Sequence, residues 1–190
     1  MSNGFITHVR RFVSLSEKEE EQLLSVTTTT QVKKKDFLLK EGQVCQSSFF
    51  VLAGCLRAFF INEKGIEQTC QFAIENWWIT DFMSLDNRQA SHFYIQAVEK
   101  SVVIALGRQQ QEDLFLQIPS LERYFRKVIQ KSYAASQLRI KYLFSQSGEE
   151  RYHHFNEAFP EFVQRVPQYM LASYLGFTPE FLSKIRAGKT

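Results

Sequence analysis

A short predicted helix near the end of the chain carries four outward-facing polar or charged side chains: Glu180, Ser183, Lys184 and Arg186. A lysine can donate hydrogen bonds to the acceptor atoms of guanine, and a glutamate can accept one from the amino group of cytosine. Glu180 and Lys184 lie one helical turn apart, so they share a face. Side chains of these types could therefore read base edges in the major groove of double-stranded DNA.

Two helical patterns meet at a glycine in this region, and together they would position those side chains. Leu171 and Leu175 share a face of the first helix, and the small Ala172 lets a second helix cross closely. Gly176 stands where a tight turn needs a residue that tolerates positive φ. Phe177 is apolar and can fill the space between the two helices.

The second helix has its own start signal and its own buried edge. Thr178 can cap it, and Pro179 suits its first position. Leu182 and Ile185 give it an apolar edge. This order of features predicts a helix-turn-helix, whose second helix enters the major groove of DNA. The alternative is a helical hairpin that only packs, but the register of all these features favours DNA binding.

The 190-residue chain has a globular composition, with 44% hydrophobic and 23% charged residues. It is long enough for one large domain or two small ones. No apolar run could span a bilayer, and the first residues lack the order of a signal peptide, which predicts a cytoplasmic protein. The net charge is only +3, but residues 163–190 hold four basic residues and one acidic residue, an excess equal to that of the whole chain.

Three cysteines, Cys45, Cys55 and Cys70, lie far apart in apolar, strand-like surroundings. No CxxC pair and no histidine at ligand spacing accompanies them, so they are predicted to be reduced core residues. Because an iron–sulfur cluster normally uses four thiolates, we predict no cluster, no metal site and no cofactor.

Between residues 30 and 106 the apolar period changes to that of strands. Short β-branched and aromatic runs alternate there with turn residues, at 37–42, 48–54, 55–61, 66–74, 93–98 and 101–106. Many short strands at regular spacing predict a small sandwich or barrel. In residues 1–30, Ser16 and Glu19 have the spacing of a capping box, which predicts one or two short helices.

Residues 108–136 return to the helical period and contain a heptad-like seam: Leu121, Phe125, Val128, Ser132 and Ala135. Two interpretations are open, because the helix could pack on its own domain or join two copies of the chain. A helix-turn-helix usually works as a dimer on a two-fold site, which favours a homodimer. Further helices are predicted at 137–146 and 149–157, with a break at Pro160.

This succession of a sandwich, a long helix and a helix-turn-helix resembles the Crp/Fnr superfamily of bacterial transcription regulators. The resemblance covers nearly the whole chain. It is sharpest in Ser147-Gly-Glu-Glu-Arg-Tyr152 and in the segment 165–186. These segments, together with Glu75-Asn-Trp-Trp78, look like the branch common in Bacteroidetes.

The resemblance implies an α+β fold in three parts. Residues 1–117 would form an antiparallel β-roll, the double-stranded β-helix of cyclic-nucleotide-binding-like domains. Residues 118–137 would form a central dimerisation helix. Residues 138–190 would form an all-α helix-turn-helix domain without a full wing. Only residues 187–190 follow the predicted recognition helix, too few for the β-hairpin wing of many members, so we expect weaker, salt-sensitive binding.

The resemblance also implies roles for single residues. In the family, residues matching Glu180 and Lys184 point at base edges, and those matching Tyr169, Thr178 and Ser183 lie near phosphates. The predicted DNA-binding set is Tyr169, Thr178, Pro179, Glu180, Ser183, Lys184 and Arg186. The expected function is a dimeric, sequence-specific DNA-binding transcription regulator. Its expected partners are double-stranded DNA and a second copy of the chain, with RNA polymerase and an unidentified small-molecule effector as further candidates and no membrane.

The segment that would bind cyclic AMP departs from the family pattern. Members that bind it carry Phe-Gly-Glu for the ribose and, about ten residues later, Arg-Ser/Thr-Ala for the phosphate. Within 77–92 no Gly-Glu occurs, Arg88 is the only arginine or lysine, and Asp81 and Asp86 would repel a phosphate. Cyclic AMP binding through the usual contacts is therefore not expected. Candidates for another effector pocket are Trp77, Trp78, Asp81 and Arg88, and the alternative is two core tryptophans and a loop charge.

Two other functions remain as alternatives. One is a regulator gated by a cyclic nucleotide or another small molecule, with Arg88 on the phosphate. The other is a ligand- or protein-binding β-roll whose helix-turn-helix is vestigial. An enzyme is not predicted, because His153 and His154 point to different helix faces and the glycines are isolated rather than grouped in a phosphate loop.

Overall fold

The structure, a computed structural model, describes residues 3–188, except for the side chain of Asn3. Lys189 and Thr190, which enter the charge count and the predicted ending above, lie outside the described residues. The chain forms two compact units. The first contains residues up to 60 together with 71–130, and the second contains residues 61–70 together with 131 onward. The predicted three-part division stays a prediction.

Helices and strands follow one another along the chain. The helices are α1 (Asn3–Arg10), α2 (Glu17–Ser25), α3 (Phe82–Asn87), α4 (Arg108–Gln117), α5 (Ser120–Ser145), α6 (Gly148–Ala158), α7 (Pro160–Arg165), α8 (Gln168–Leu175) and α9 (Pro179–Arg186). The strands are β1 (Thr27–Val32), β2 (Phe37–Leu39), β3 (Ser47–Ala53), β4 (Leu56–Ile61), β5 (Glu67–Ala73), β6 (Trp78–Ile79), β7 (Tyr94–Ala97) and β8 (Ser101–Gly107). The predicted α+β fold class is confirmed.

Two four-stranded sheets form the β-roll, in the orders β1-β8-β3-β6 and β2-β7-β4-β5. Alternation along β3 explains how the first sheet is covered on both faces. Phe49 and Val51 belong to one apolar core, whereas Phe50 between them belongs to another. Because successive strand residues point to opposite faces, the first core lies on one face of this sheet and the second on the other, where α1, α2, α4 and the start of α5 pack.

The predicted capping box of α2 is present: the Ser16 hydroxyl accepts from the Glu19 backbone N–H, and the Glu19 carboxylate accepts from the Ser16 backbone N–H. Sequence reasoning missed β1, whose run of four threonines is almost entirely exposed and shows no apolar alternation. It also divided α5, which continues unbroken to Ser145. Neither glycine nor proline interrupts residues 120–145, so nothing in this stretch ends a helix. Among residues 3–188, no helix combines the length and the apolar character that crossing a bilayer needs.

Candidate nucleic-acid interface

The turn between α8 and α9 has the predicted geometry. Gly176 ends α8 with a φ of 80°, in the left-handed region that favours glycine. A Cβ added there would lie 2.9 Å from Cδ2 of Leu143, so the position is both strained and crowded for any other residue. The Phe177 N–H donates to the Ala172 carbonyl at 3.1 Å, which closes the turn.

The second helix, α9, begins and packs as predicted. The Thr178 hydroxyl accepts from the Phe181 N–H at 3.3 Å, and Pro179 is at the first helical position. Leu182 and Ile185 are buried in the apolar core of the second unit. The remaining members of the predicted face are exposed to solvent: Glu180, Ser183, Lys184 and Arg186. One edge of the helix is thus anchored, and the opposite face is open to a ligand.

Glu180 is held at the start of its own helix. Its carboxylate accepts hydrogen bonds from its own backbone N–H and from the Thr178 hydroxyl, and both lower its pKa. The group is therefore ionised at neutral pH, next to the positive end of the helix dipole.

Close packing at Gly148 also fixes α9. A Cβ built at Gly148 would lie 2.5 Å from Cε1 of Phe181 and 3.2 Å from Cδ1 of Phe177. The Phe181 ring thus lies closer to the first residue of α6 than a side chain there would allow, and the Phe177 ring would have to shift slightly. Sequence reasoning used Gly148 only as part of a family signature and found no packing role for it.

Arginine side chains cap the end of α8. Arg151 donates from Nε to the Leu175 carbonyl at 2.9 Å and from Nη1 to the Gln146 carbonyl at 2.6 Å. Cations placed at the last carbonyls of a helix stabilise its end. Arg151 therefore ties α8 to the junction of α5 and α6, a role that residue spacing could not reveal, because its partner is 24 positions away.

Tyr169 is 47% exposed on α8, and together with Thr178 and the exposed face of α9 it completes the predicted DNA-binding set within the second unit. The assignment of these residues to DNA contacts stays a prediction.

Two residues of the predicted effector pocket, Asp81 and Trp78, have hydrogen-bond partners within the first unit. Asp81 is buried as the cap of α3, where it accepts from the Ser84 N–H at 3.2 Å and from the Ser91 hydroxyl at 2.7 Å. The Trp78 indole donates to the buried Tyr124 hydroxyl at 2.8 Å. Each of these polar groups is already bound within its own unit, and their assignment to a pocket stays a prediction.

Trp77 and Arg88 are exposed, and Arg88 ends α3 with a φ of 53°. For them the assignment stays a prediction.

The predicted dimer seam on α5 is corrected in part. Leu121 and Phe125 are buried in the core of the first unit, and Val128 packs partly against that core. Ser132 and Ala135 are exposed. The first residues of the seam are therefore covered by the first unit itself and are not available to a second copy. Apolar spacing alone does not tell which partner covers a helix face.

A different row of side chains on α5 faces solvent. We call it the α5 stripe: Ile129, Tyr133, Ser136, Ile140 and Phe144. Its members follow one another at intervals of four, three, four and four residues, so they share one helix face. Tyr133 is 64% exposed and Phe144 is 89% exposed. The row is apolar apart from its small central serine, and it runs about 22 Å along the helix.

Known proteins resemble this chain in sequence and in architecture. Residues 29–117 match the model of the cyclic nucleotide-binding domain family. The fumarate and nitrate reduction regulatory protein of Escherichia coli strain K12 is 24% identical over 186 residues, which cover 90% of this chain and 73% of that protein.

Solved structures show the same fold. FixK2 from Bradyrhizobium japonicum has a TM-score of 0.74 at 15% identity, over 86% of this chain and 84% of that one. The c-di-GMP-responsive global regulator CLP of Xanthomonas campestris has a TM-score of 0.76 at 10% identity, over 91% of each chain. The match to the family model, the regulatory relatives and the shared fold agree with one another, and together they support a transcription regulator of the Crp/Fnr family.

Proposed function

We propose that the protein is a homodimeric regulator that binds a two-fold DNA site by placing α9 of each copy in the major groove. The observation that carries this proposal is the division of α9 into a buried edge, Leu182 and Ile185, and an exposed polar face around Lys184. A helix held in this way presents side chains to base edges in a fixed direction. The regulatory relatives named above support the same function.

Within the exposed face, the residues take different parts. Lys184 reads guanine acceptors, and Glu180 accepts from a cytosine amino group. Ser183, Arg186, Thr178 and Tyr169 bind phosphates and so fix the register of the protein on the duplex. Pro179 starts the helix rigidly. RNA polymerase and an unidentified small-molecule effector remain candidate partners of the regulator.

The two copies meet through the α5 stripe. Two such helices side by side would cover the exposed rings and aliphatic side chains of the stripe, and the small Ser136 would let their axes approach. A two-fold axis along this contact makes the interface self-complementary, as a homodimer requires. This assignment replaces the seam that begins at Leu121.

Lys184→Ala tests the readout. DNA bound by the wild-type protein is first selected from a random pool, and both proteins are then titrated with the selected duplex. We expect the variant to bind about 5- to 150-fold more weakly and to lose its preference at one base pair of each half-site, because one specific contact is removed. Lys141→Ala removes the same charge from an exposed position on α5 and should leave base preference unchanged. Equal behaviour of the two variants would refute the assigned role of Lys184.

The roll does not take cyclic AMP through the usual phosphate contacts. In support, the segment that would meet the phosphate contains the buried Asp81 side chain, and Arg88 is an exposed residue at the end of α3. Calorimetry of the full chain with cyclic AMP and cyclic GMP should show no heat at millimolar ligand. Neither nucleotide should change the melting temperature. A saturable heat that disappears in Arg88→Gln would instead establish a cyclic-nucleotide-gated regulator.

A further inference from the structure

The second unit contains a strand segment that lies against the end of α8. The Thr69 N–H donates to the Ser173 hydroxyl at 2.8 Å, and that hydroxyl donates to the Glu67 carbonyl at 3.0 Å. One side chain of the first helix of the helix-turn-helix thus binds two backbone groups of β5. These groups belong to residues 61–70, which we call the hairpin segment: the last residue of β4, the turn after it and the first four residues of β5.

Arg139 of α5 joins the same three elements. Its guanidinium donates to the Tyr174 carbonyl from Nη2 at 2.8 Å and from Nε at 3.2 Å, and it lies 4.4 Å from the centre of the Tyr174 ring. Nη2 also donates to the Thr69 carbonyl at 3.4 Å. A planar guanidinium can hold several partners in fixed directions at once, which an ammonium cannot.

These contacts bear on α9 although none of them touches it. Ser173 and Tyr174 lie in the last turn of α8, and only Gly176, Phe177 and Thr178 separate that helix from α9. The turn is fixed by its own hydrogen bond and by the packing around Phe177. The direction of α9 therefore follows that of α8, and Ser173 and Arg139 set α8 against the hairpin segment.

We propose that Ser173 and Arg139 are positioning residues for DNA binding, which hold the helix-turn-helix against the hairpin segment in the orientation that DNA requires. This inference rests on the function proposed above. Neither residue is proposed to contact DNA itself. Loss of either tie lowers DNA affinity by about three- to tenfold, the effect of a single hydrogen-bonded link.

The test compares the full-length wild-type protein with Ser173→Ala and Arg139→Lys on DNA selected by the wild-type protein. Alanine is favourable in a helix, and at position 173 it removes only the hydroxyl. Lysine at position 139 keeps the positive charge but lacks the planar guanidinium that binds several acceptors at once. We expect weaker binding by both variants, with an unchanged dependence of affinity on salt, because no phosphate contact is lost. Ser25→Ala removes an exposed hydroxyl of α2 that binds only a nearby carbonyl, and it should bind DNA as the wild type does.

A second measurement on the DNA-free proteins follows amide hydrogen exchange in residues 67–73. It should be faster in Ser173→Ala, because the Thr69 N–H loses its acceptor. Faster exchange with unchanged or tighter DNA binding would overturn the positioning role, and so would a smaller salt dependence in Arg139→Lys, which would indicate a direct phosphate contact. If the wild-type protein selects no DNA at all while exchange is still faster in Ser173→Ala, the tie exists but the proposed function fails.

Discussion

Ile140→Glu will convert the protein from a dimer to a monomer and will weaken its binding to a two-fold DNA site by at least about 100-fold. The substitution places a carboxylate in the middle of the α5 stripe, and the symmetry of the dimer places a second one close to it. Burying two like charges costs far more than the contact can return. In a dimer, binding of one copy holds the second copy at a high effective concentration near the other half-site, and a monomer loses this gain.

Leu138→Glu is the matched control for this variant. Leu138 is 51% exposed and Ile140 is 52% exposed, so the two positions lose similar apolar surface. Residues two positions apart on a helix, such as Leu138 and Ile140, lie about 200° apart around its axis. Leu138 is therefore on the face opposite the stripe. Sedimentation and DNA titration should therefore find Leu138→Glu dimeric and fully active. A dimeric Ile140→Glu protein would exclude the stripe as the contact between copies.

Leu182→Ala will destabilise the helix-turn-helix by about 2–5 kcal/mol, because Leu182 is fully buried where α9 meets the rest of the second unit. The variant should lose helical structure at a lower urea concentration than the wild type. Both tryptophans of the chain, Trp77 and Trp78, belong to the first unit. Far-UV circular dichroism should therefore show an early transition that tryptophan fluorescence does not follow.

Leu116→Ala provides the control, since the same atoms are removed from a side chain that is 84% exposed on α4. It should unfold at the wild-type urea concentration by both probes. If Leu182→Ala also unfolds at that concentration, or if fluorescence and circular dichroism shift together, α9 is not anchored in a separate core as described.

The helix-turn-helix was predictable residue by residue because its signals are local. The turn glycine, the cap at Thr178 and the buried pair Leu182 and Ile185 all lie within ten positions of one another, and each is confirmed. The chemistry of a cap or of a positive φ depends on the residue itself, so no knowledge of the rest of the fold was needed.

Other features depend on contacts between distant parts of the chain. Ser173 binds groups more than a hundred positions away, and nothing in its neighbourhood marks it as a tie to a strand. The start of the predicted dimer seam shows the same dependence: Leu121 and the α5 stripe follow the same period, but only the structure shows that the first unit already covers Leu121. Asp81 likewise has the chemistry of a pocket residue and the surroundings of a helix cap.

The most direct test of the account is the DNA that the purified full-length protein selects from a random pool at moderate salt, together with the number of chains on each selected duplex. We expect a two-fold symmetric sequence with half-site centres about 10 base pairs apart, bound by two copies of the chain. No enrichment over the starting pool, or an asymmetric site bound by a single chain, would contradict it.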